Sequence, residues 1–479
     1  MKIDRTPSRG TPQRHALPVL LAAMLAMGAS AALAQGGNDP AALAFRDTVD
    51  KLPPNPPPRR FRLSRDYPAQ PPAACPECTW LNVKVDFTPQ FPPPQLTWSG
   101  PWADYMNRIL AYMRQGQDPQ FRDEVGFQVA VNGRTRWFNV PWMAYDPTAG
   151  REFLHGTTNE RTAHLSDFIN GKGQPKRGVS FPAGTTQDCQ TQYPHGFETW
   201  AVGYYNEWGG YALGKAIPKN GRPKVVSYLG SPMPDGLPFP ANTVVVKFLT
   251  TNAPPDCVPY LRGSPEWRVN RHAVDPKTKA YLCRREVQVS RMIQVDVAVV
   301  DPRSPTRWVY GTFGYDGTRP GATFWDRLVP LGLQWGSDPW TFPAVPQSES
   351  VAAQQTVLNP DIKIFEHFGC NKRLAGPVDN KESSCVSCHA SAFSAPNGAV
   401  STMGSNVPPS FGFAGMCQQY SLDNASYFQN VQAPQSFPGG RFPEAVPLDT
   451  SLQLEVAFGQ YGQFNTAKAP VPCKDPDQF

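Results

Sequence analysis

The clearest periodic segment of the chain begins near residue 101. Trp102, Tyr105, Met106, Ile109, Leu110 and Met113 recur every three to four positions, the spacing that lines up apolar side chains on one side of an α-helix. Ser99 is placed to cap it, Pro101 suits its first turn, and Gly116 stops it. A helix is predicted over 101–115, its stripe belonging to the core. Beyond it the period shortens to two. Phe127 to Val131 and Arg134 to Val140 flank Asn132-Gly133, which predicts a tight hairpin. Trp200 to Tyr205 and Tyr211 to Ile217 flank Gly209-Gly210, which predicts a second. Thr243 to Thr250 is a dense apolar strand. Val287, Val289, Arg291, Ile293, Val295, Val297 and Val299 alternate along a long strand, with Trp308 to Tyr315 as its partner across a proline turn. Short strands at this spacing predict a mainly β fold, a sandwich- or barrel-like body with a few helices. There is no internal repeat.

Composition supports that reading. Fifty-four prolines in 479 residues exclude a mainly helical bundle, because proline breaks helix interiors. Twenty-seven Phe, 16 Tyr and 12 Trp supply a core. Residues 35–74 are proline-rich and aperiodic, an extended lead-in. From Ala344 to Gln355 the chain turns small and polar. The predicted organisation is residues 1–34 as a leader, 35–74 as the lead-in, 75–349 as a β-rich domain and 350–479 as a separate loop-rich C-terminal segment.

The leader shifts the chemistry. Lys2, Arg5, Arg9 and Arg14 precede an uncharged run from Ala16 to Asn38 with an apolar centre, Val19–Met27, and the small-x-small site Ala32-Leu33-Ala34. That order predicts a cleaved secretory signal peptide and a periplasmic protein. The apolar centre is shorter than the roughly 20 residues of a membrane span, and no later stretch predicts a transmembrane segment. Cleavage lowers the formal charge from +6 to about +3, too little to point to nucleic acid. The ten cysteines then sit where thiols normally pair. Cys75-Pro76-Glu77-Cys78 is expected to form a structural disulfide. Cys257 with Cys283 and Cys417 with Cys473 are near in sequence and form plausible pairs, while Cys189 and Cys370 have no evident mate.

One motif carries specific chemistry. Between Ser383 and Leu422 there is no Lys, Arg, Asp or Glu, so this stretch can wrap an apolar ligand without burying unpaired charge. Within it stands Cys385-Val386-Ser387-Cys388-His389. C-x-x-C-H is the attachment motif for c-type haem. Two thiols three positions apart reach the two vinyl groups of one porphyrin edge, and the next residue presents an imidazole to the iron. A rival reading is zinc, because His367-x-x-Cys370 and Cys385-x-x-Cys388 resemble two chelating pairs. A plain disulfide is the third. Export and the role left for His389 favour haem.

On these residues the chain resembles the c-type cytochromes. The phrases Gly376–Cys385 and Leu328–Trp335 are similar to a group of large bacterial cytochrome c family proteins, with a β-rich body and one C-terminal haem segment. The resemblance implies one covalent haem c, with Cys385 and Cys388 as its thioether links and His389 as its proximal ligand. The two packed terminal helices of small class-I cytochromes are not found around the motif. Met403, in a Gly/Pro loop 14 residues after His389, is the leading sixth ligand, with Met416 and His367 as alternatives and an open position as a fourth case.

The remaining polar residues do not form a recognised catalytic pattern. Arg151, Glu152, His155, Glu160, Arg161 and His164 are expected on a solvated loop with ion pairs. His195 and His272 are isolated. G-x-S-x-G, a phosphate loop and H-E-x-x-H are all absent from the sequence. The expected function is one-electron transfer to an unidentified redox partner protein. The alternatives are a haem-containing periplasmic oxidoreductase whose β-rich domain binds substrate, and a haem-based binding or sensing module.

Overall fold

The computed structural model describes residues 63–88, 97–98, 100–121, 126–140, 144–146, 150–152, 158–163, 189, 197–218, 224–274, 277, 281–336, 355–362, 364, 367, 373–377, 385–389, 392–394, 446–455 and 457–458. The expected signal peptide (residues 1–34), Met403, Met416, Cys370, Cys417, Cys473, His155, His164 and His195 lie outside them. The helical stripe becomes α1, Pro101–Met113. Its N-cap is Gly100, at φ 54° and with no side-chain cap, rather than Ser99. Gly116, at φ 69°, follows its end.

The short strands β1 (Ala130–Val131) and β2 (Arg134–Thr135) pair across Asn132-Gly133. Both turn residues have positive φ, 51° and 75°, as the predicted hairpin requires. The strands β3 (Ala144–Asp146) and β4 (Gly150–Glu152) form another small pair. Next come β5 (Thr158–Ala163), β6 (Phe197–Tyr205), then helix α2 (Glu207–Ala216). The hairpin β7 (Val225–Tyr228) and β8 (Ser231–Pro234) precedes β9 (Val244–Thr251), β10 (Glu266–Val274) and β11 (Tyr281–Val300). The chain continues through β12 (Trp308–Tyr315), β13 (Leu328–Gln334), β14 (Thr356–Leu358), the short helix α3 (Cys385–His389), β15 (Phe393–Ser394) and β16 (Val446–Pro447).

The fold is mainly β with few helices. Its centre is an eight-stranded sheet in the order β14-β13-β12-β11-β9-β6-β5, with β10 added against β11. All its pairings are antiparallel. The path has two ends and does not close among the described residues. Nor does it stop at the compositional boundary near residue 350, because Thr356–Leu358 is an edge strand of the same sheet. Glu160 and Arg161, expected on a loop, are in edge strand β5.

One face of this sheet is buried across its central strands. Tyr204, Val246, Val297, Gly311, Leu333 and Val357 stand in one cross-strand row. The five side chains of this row are at most 3% exposed and share a core with the apolar stripe of α1. Burying each large side chain contributes roughly 1.5–3 kcal/mol. Gly311 lets the helix sit close, since a Cβ there would stand 2.7 Å from the Met106 sulfur. The alternation along β11 is interrupted. A register shift between Met292 and Gln294 puts Met292 and Val295 in the α1-facing core and Ile293 in a core on the other side. A bulge inserts one residue and so reverses which parity faces which side.

The predicted hairpin around Gly209-Gly210 is not formed. Residues 207–216 are helical, capped by the Asn206 side chain, which accepts from the Gly209 N–H. Asn at the cap and Glu207 in the first turn favour a helix start. The two glycines serve close packing instead: a Cβ on Gly210 would lie 2.5 Å from the Phe138 ring. Gly210→Ala is therefore expected to destabilise by about 1–3 kcal/mol despite alanine's better helix propensity, read as a lower midpoint in urea unfolding.

Two disulfides staple the described residues. Cys75–Cys78 is formed as expected. Cys257 pairs with Cys189 rather than Cys283, closing a span of 68 residues that sequence proximity could not suggest. The lead-in is docked by hydrogen bonds from Tyr67 Oη to the Asn139 carbonyl (2.6 Å) and from Trp208 Nε1 to the Pro72 carbonyl (3.1 Å). No helix among the described residues is long and apolar enough to cross a membrane.

Candidate functional site

The second face of the sheet carries residues 385–389 and 448–454 of the C-terminal segment. Tyr205, Val245, Ala298, Tyr310 and Gln334 form one cross-strand row from β6 to β13. Two residues along, Gly203, Lys247, Asp296, Thr312 and Gly332 form the next. Period-two alternation puts both rows on one face. From the first row, Tyr205 Oη meets Ser451 Oγ at 2.9 Å and Tyr310 Oη donates to Thr450 Oγ1 at 2.7 Å. Gln334 Oε1 accepts the Val386 N–H at 3.0 Å, which anchors α3 over β13.

The motif residues lie on α3. Positions 385, 388 and 389 fall on one side of a helical turn. Cys385 is a half-buried thiol whose sulfur lies 3.8 Å from the Leu374 carbonyl oxygen. His389 is half-buried; its ring centroid is 4.7 Å from that of Tyr310, and its Nδ1 is 2.9 Å from the Thr450 carbonyl oxygen. That contact makes Nδ1 the protonated nitrogen and leaves the lone pair on Nε2, the tautomer of a metal-binding imidazole. Cys388 is in the helix between them; Met403 lies outside the described residues. His367 is fully buried, with Nε2 at 3.1 Å from the Asn359 carbonyl oxygen, a structural bond to the turn after β14. A thiol and an imidazole four positions apart on one helix can hold a metal or a covalently attached group between them.

The loop that orients His389 is itself held by a buried carboxylate. Asp449 is fully buried. Its Oδ2 accepts the Phe239 N–H at 2.7 Å and its Oδ1 accepts Trp308 Nε1–H at 3.2 Å, with Arg307 Nη1 at 3.4 Å. Asp449 and Thr450 both have positive φ, 46° and 64°, a conformation unfavourable for residues other than glycine. Those bonds sustain the turn that aims the Thr450 carbonyl at His389. Burial, reinforced by Asp449 and Cys385 and opposed by the Thr450 hydrogen bond, pushes the Tyr310 phenol well above its ordinary value. Tyr310 therefore remains a neutral donor.

One helical turn on, Glu455 is 2% exposed, and neither carboxyl oxygen has a hydrogen-bond partner among the described residues. Burial raises its pKa well above the usual carboxyl value. The folded protein then binds a proton that the unfolded chain releases above about pH 4.3, so this group's contribution makes stability fall as pH rises through that window. Glu455→Gln should flatten the decline, measured as the unfolding midpoint between pH 5 and 8. An unchanged slope would show that the carboxyl is not protonated in the fold.

Sequence reasoning found the motif, but neither the short helix that carries it nor its partners. Tyr310 reads only as part of a strand, and Asp449 and Thr450 carry no local signal; strand register places Tyr310 and Gln334 beside the motif, and the buried hydrogen bonds of the turn over 449–450 place the other two. No protein family, curated protein or solved structure matches the chain.

Proposed function

We propose that the chain is an exported carrier of one covalent haem c, held through Cys385 and Cys388, with His389 as proximal ligand and Met403 as the second axial ligand. It works in one-electron transfer with a redox partner protein. The observation that carries this reading is the 2.9 Å contact between His389 Nδ1 and the Thr450 carbonyl, beside the Cys385 thiol. A ligating histidine is normally oriented this way through its other nitrogen. The donor set, two cysteines and an adjacent imidazole in a segment without charged side chains, fits haem better than zinc. The two disulfides suit an oxidising compartment such as the periplasm.

Bound there, the haem would supply a one-electron couple. The chain's residues do the rest. Gln334 and Thr450 hold the motif against a rigid sheet, and Tyr310 packs beside the imidazole. The β-rich body, read in finer terms as sandwich- or barrel-like, is the scaffold on which residues 350–479 form the haem-binding segment.

The test is a reduced-minus-oxidised visible spectrum of the mature protein, with and without CO, beside haem staining after denaturing electrophoresis. A stained band and a c-type spectrum unaltered by CO are expected. Rapid CO binding would open the sixth position and replace the carrier by an enzyme or sensor. An unstained band ends the haem reading, and a spectrum unchanged by Met403→Ala removes that ligand.

A further inference from the structure

We infer that the outer edge of β7, residues Val225 to Leu229, pairs antiparallel with the same edge of a second copy of this chain. The inference stands whether or not the chain carries haem. Val225 is 50% exposed and Leu229 90%, and they are the large apolar side chains left in the open among the described residues. Both lie on one hairpin. Leu229 opens its two-residue turn at φ 47°, followed by Gly230 at φ 83°. Such a turn suits asparagine or glycine at its first position, and left-handed backbone disfavours a bulky side chain. The fold therefore gains neither burial nor good turn geometry from Leu229.

The pairing with β8 shows which backbone groups are left over. Tyr228 and Ser231 close the turn, and the Asp235 N–H donates to the Lys224 carbonyl. Hydrogen-bonded pairs alternate along an antiparallel ladder. Residues 224, 226 and 228 thus turn their backbone groups to β8, and Val225 and Ser227 turn theirs away. That outer edge has no strand partner among the described residues. The two strands differ in protection. Opposite Val225 and Ser227 stand Pro234 and Pro232, which offer no N–H along the outer edge of β8, and β16 lies beside β8. The β7 strand has no proline and no register shift, and residues 225–229 carry no charge.

The same alternation selects the occupant. Met233 is buried and Tyr228 half-buried against the core that α2 also lines, whereas Val225, Ser227 and Leu229 share the open face. Identical strands paired antiparallel are related by a twofold axis through the sheet. That axis keeps like faces together, so opposed residues share parity. A pairing centred on Ser227 satisfies this. It sets Ser227 against Ser227 and, twice, Val225 against Leu229, with the free backbone groups of 225 and 227 in hydrogen-bonding positions. Each exposed apolar side chain is met by the other, and no charge is buried. A five-residue edge covers less than the roughly 1,600 Å² of a standard interface, so the dimer is weak and depends on concentration.

Sedimentation velocity of the mature protein at up to about 1 mM, where so small an interface is populated, should show a monomer–dimer equilibrium. Ser227→Pro removes an outward N–H that the hairpin does not use and should raise the dissociation constant about tenfold or more. Leu229→Asn should also weaken the dimer while raising the urea unfolding midpoint, because asparagine accepts the left-handed turn. Val225→Lys and Leu229→Glu should each weaken it, and the double variant should restore it, since the opposite charges meet only in the register centred on Ser227. That pattern supports the inference. A monomer at every concentration overturns it and leaves the edge to an extended segment of another protein. A dimer indifferent to these substitutions overturns it by placing the contact elsewhere, and a double variant that stays monomeric overturns the register. If Ser227→Pro does not fold, Leu229→Asn and the charge pair decide.

Discussion

Cys385→Ala/Cys388→Ala protein, coexpressed with haem-attachment machinery, is expected to be exported in folded form yet colourless, its haem content falling from about one per chain to none. Neither change should unfold the sheet. Cys385 is half-buried on a five-residue helix, and α3 is anchored through the Val386 backbone to Gln334 rather than through either sulfur. Haem staining, pyridine haemochrome absorbance and circular dichroism read the three quantities. His389→Ala should differ in kind, because the thioether links remain possible while the ligand is lost; a stained band with an altered ligation spectrum is expected. A double-cysteine variant that still carries covalent haem would place the attachment elsewhere. One in which wild type and variant are equally colourless would return Cys385 and Cys388 to the zinc or disulfide readings.

Asp449→Ala is expected to cost about 3–5 kcal/mol, at the lower end because Arg307 is one-third exposed and can be hydrated. The loss strands two donors, Phe239 N–H and Trp308 Nε1–H, in a site with no solvent access to the carboxylate. Asp449→Asn keeps the shape and tolerates positive φ better than most residues, but turns one amide N–H toward a donor, and should lose less. Urea unfolding measures both. The second readout is local. Thr450 follows Asp449 and supplies the carbonyl that meets His389, so if His389 is the proximal ligand as proposed, the alanine variant should also alter the haem spectrum before global unfolding begins. A variant as stable as wild type would mean that the turn over 449–450 is held by other contacts.

The legible parts of this protein are those set by neighbours in sequence. The 3.6-residue stripe of α1, the Asn132-Gly133 turn and the pairing of β11 with β12 are each encoded within a few tens of residues. So is the spacing of Cys385, Cys388 and His389. The Gly209-Gly210 hairpin and the Cys257–Cys283 pair are not formed, the first for local and distant reasons together and the second for a distant one. Gly209-Gly210 resembles a turn until Asn206 is seen to cap a helix and Phe138, 72 positions away, is seen to need the space of a missing side chain. Cys283 is nearer to Cys257 in sequence than Cys189, yet the fold brings Cys189 to it.

By itself the sequence determined a β-rich body, a single C-x-x-C-H turn and a leader that predicts export, because periodicity, turn chemistry and motif spacing act over one or two elements. Only the tertiary structure decided which carbonyl orients His389, since Thr450 is 61 positions away. It also decided which strands lie beneath the motif, and that the bulge at Ile293 reverses the faces of β11. Those outcomes follow from strand register and packing, in which residues remote along the chain compete for the same buried space.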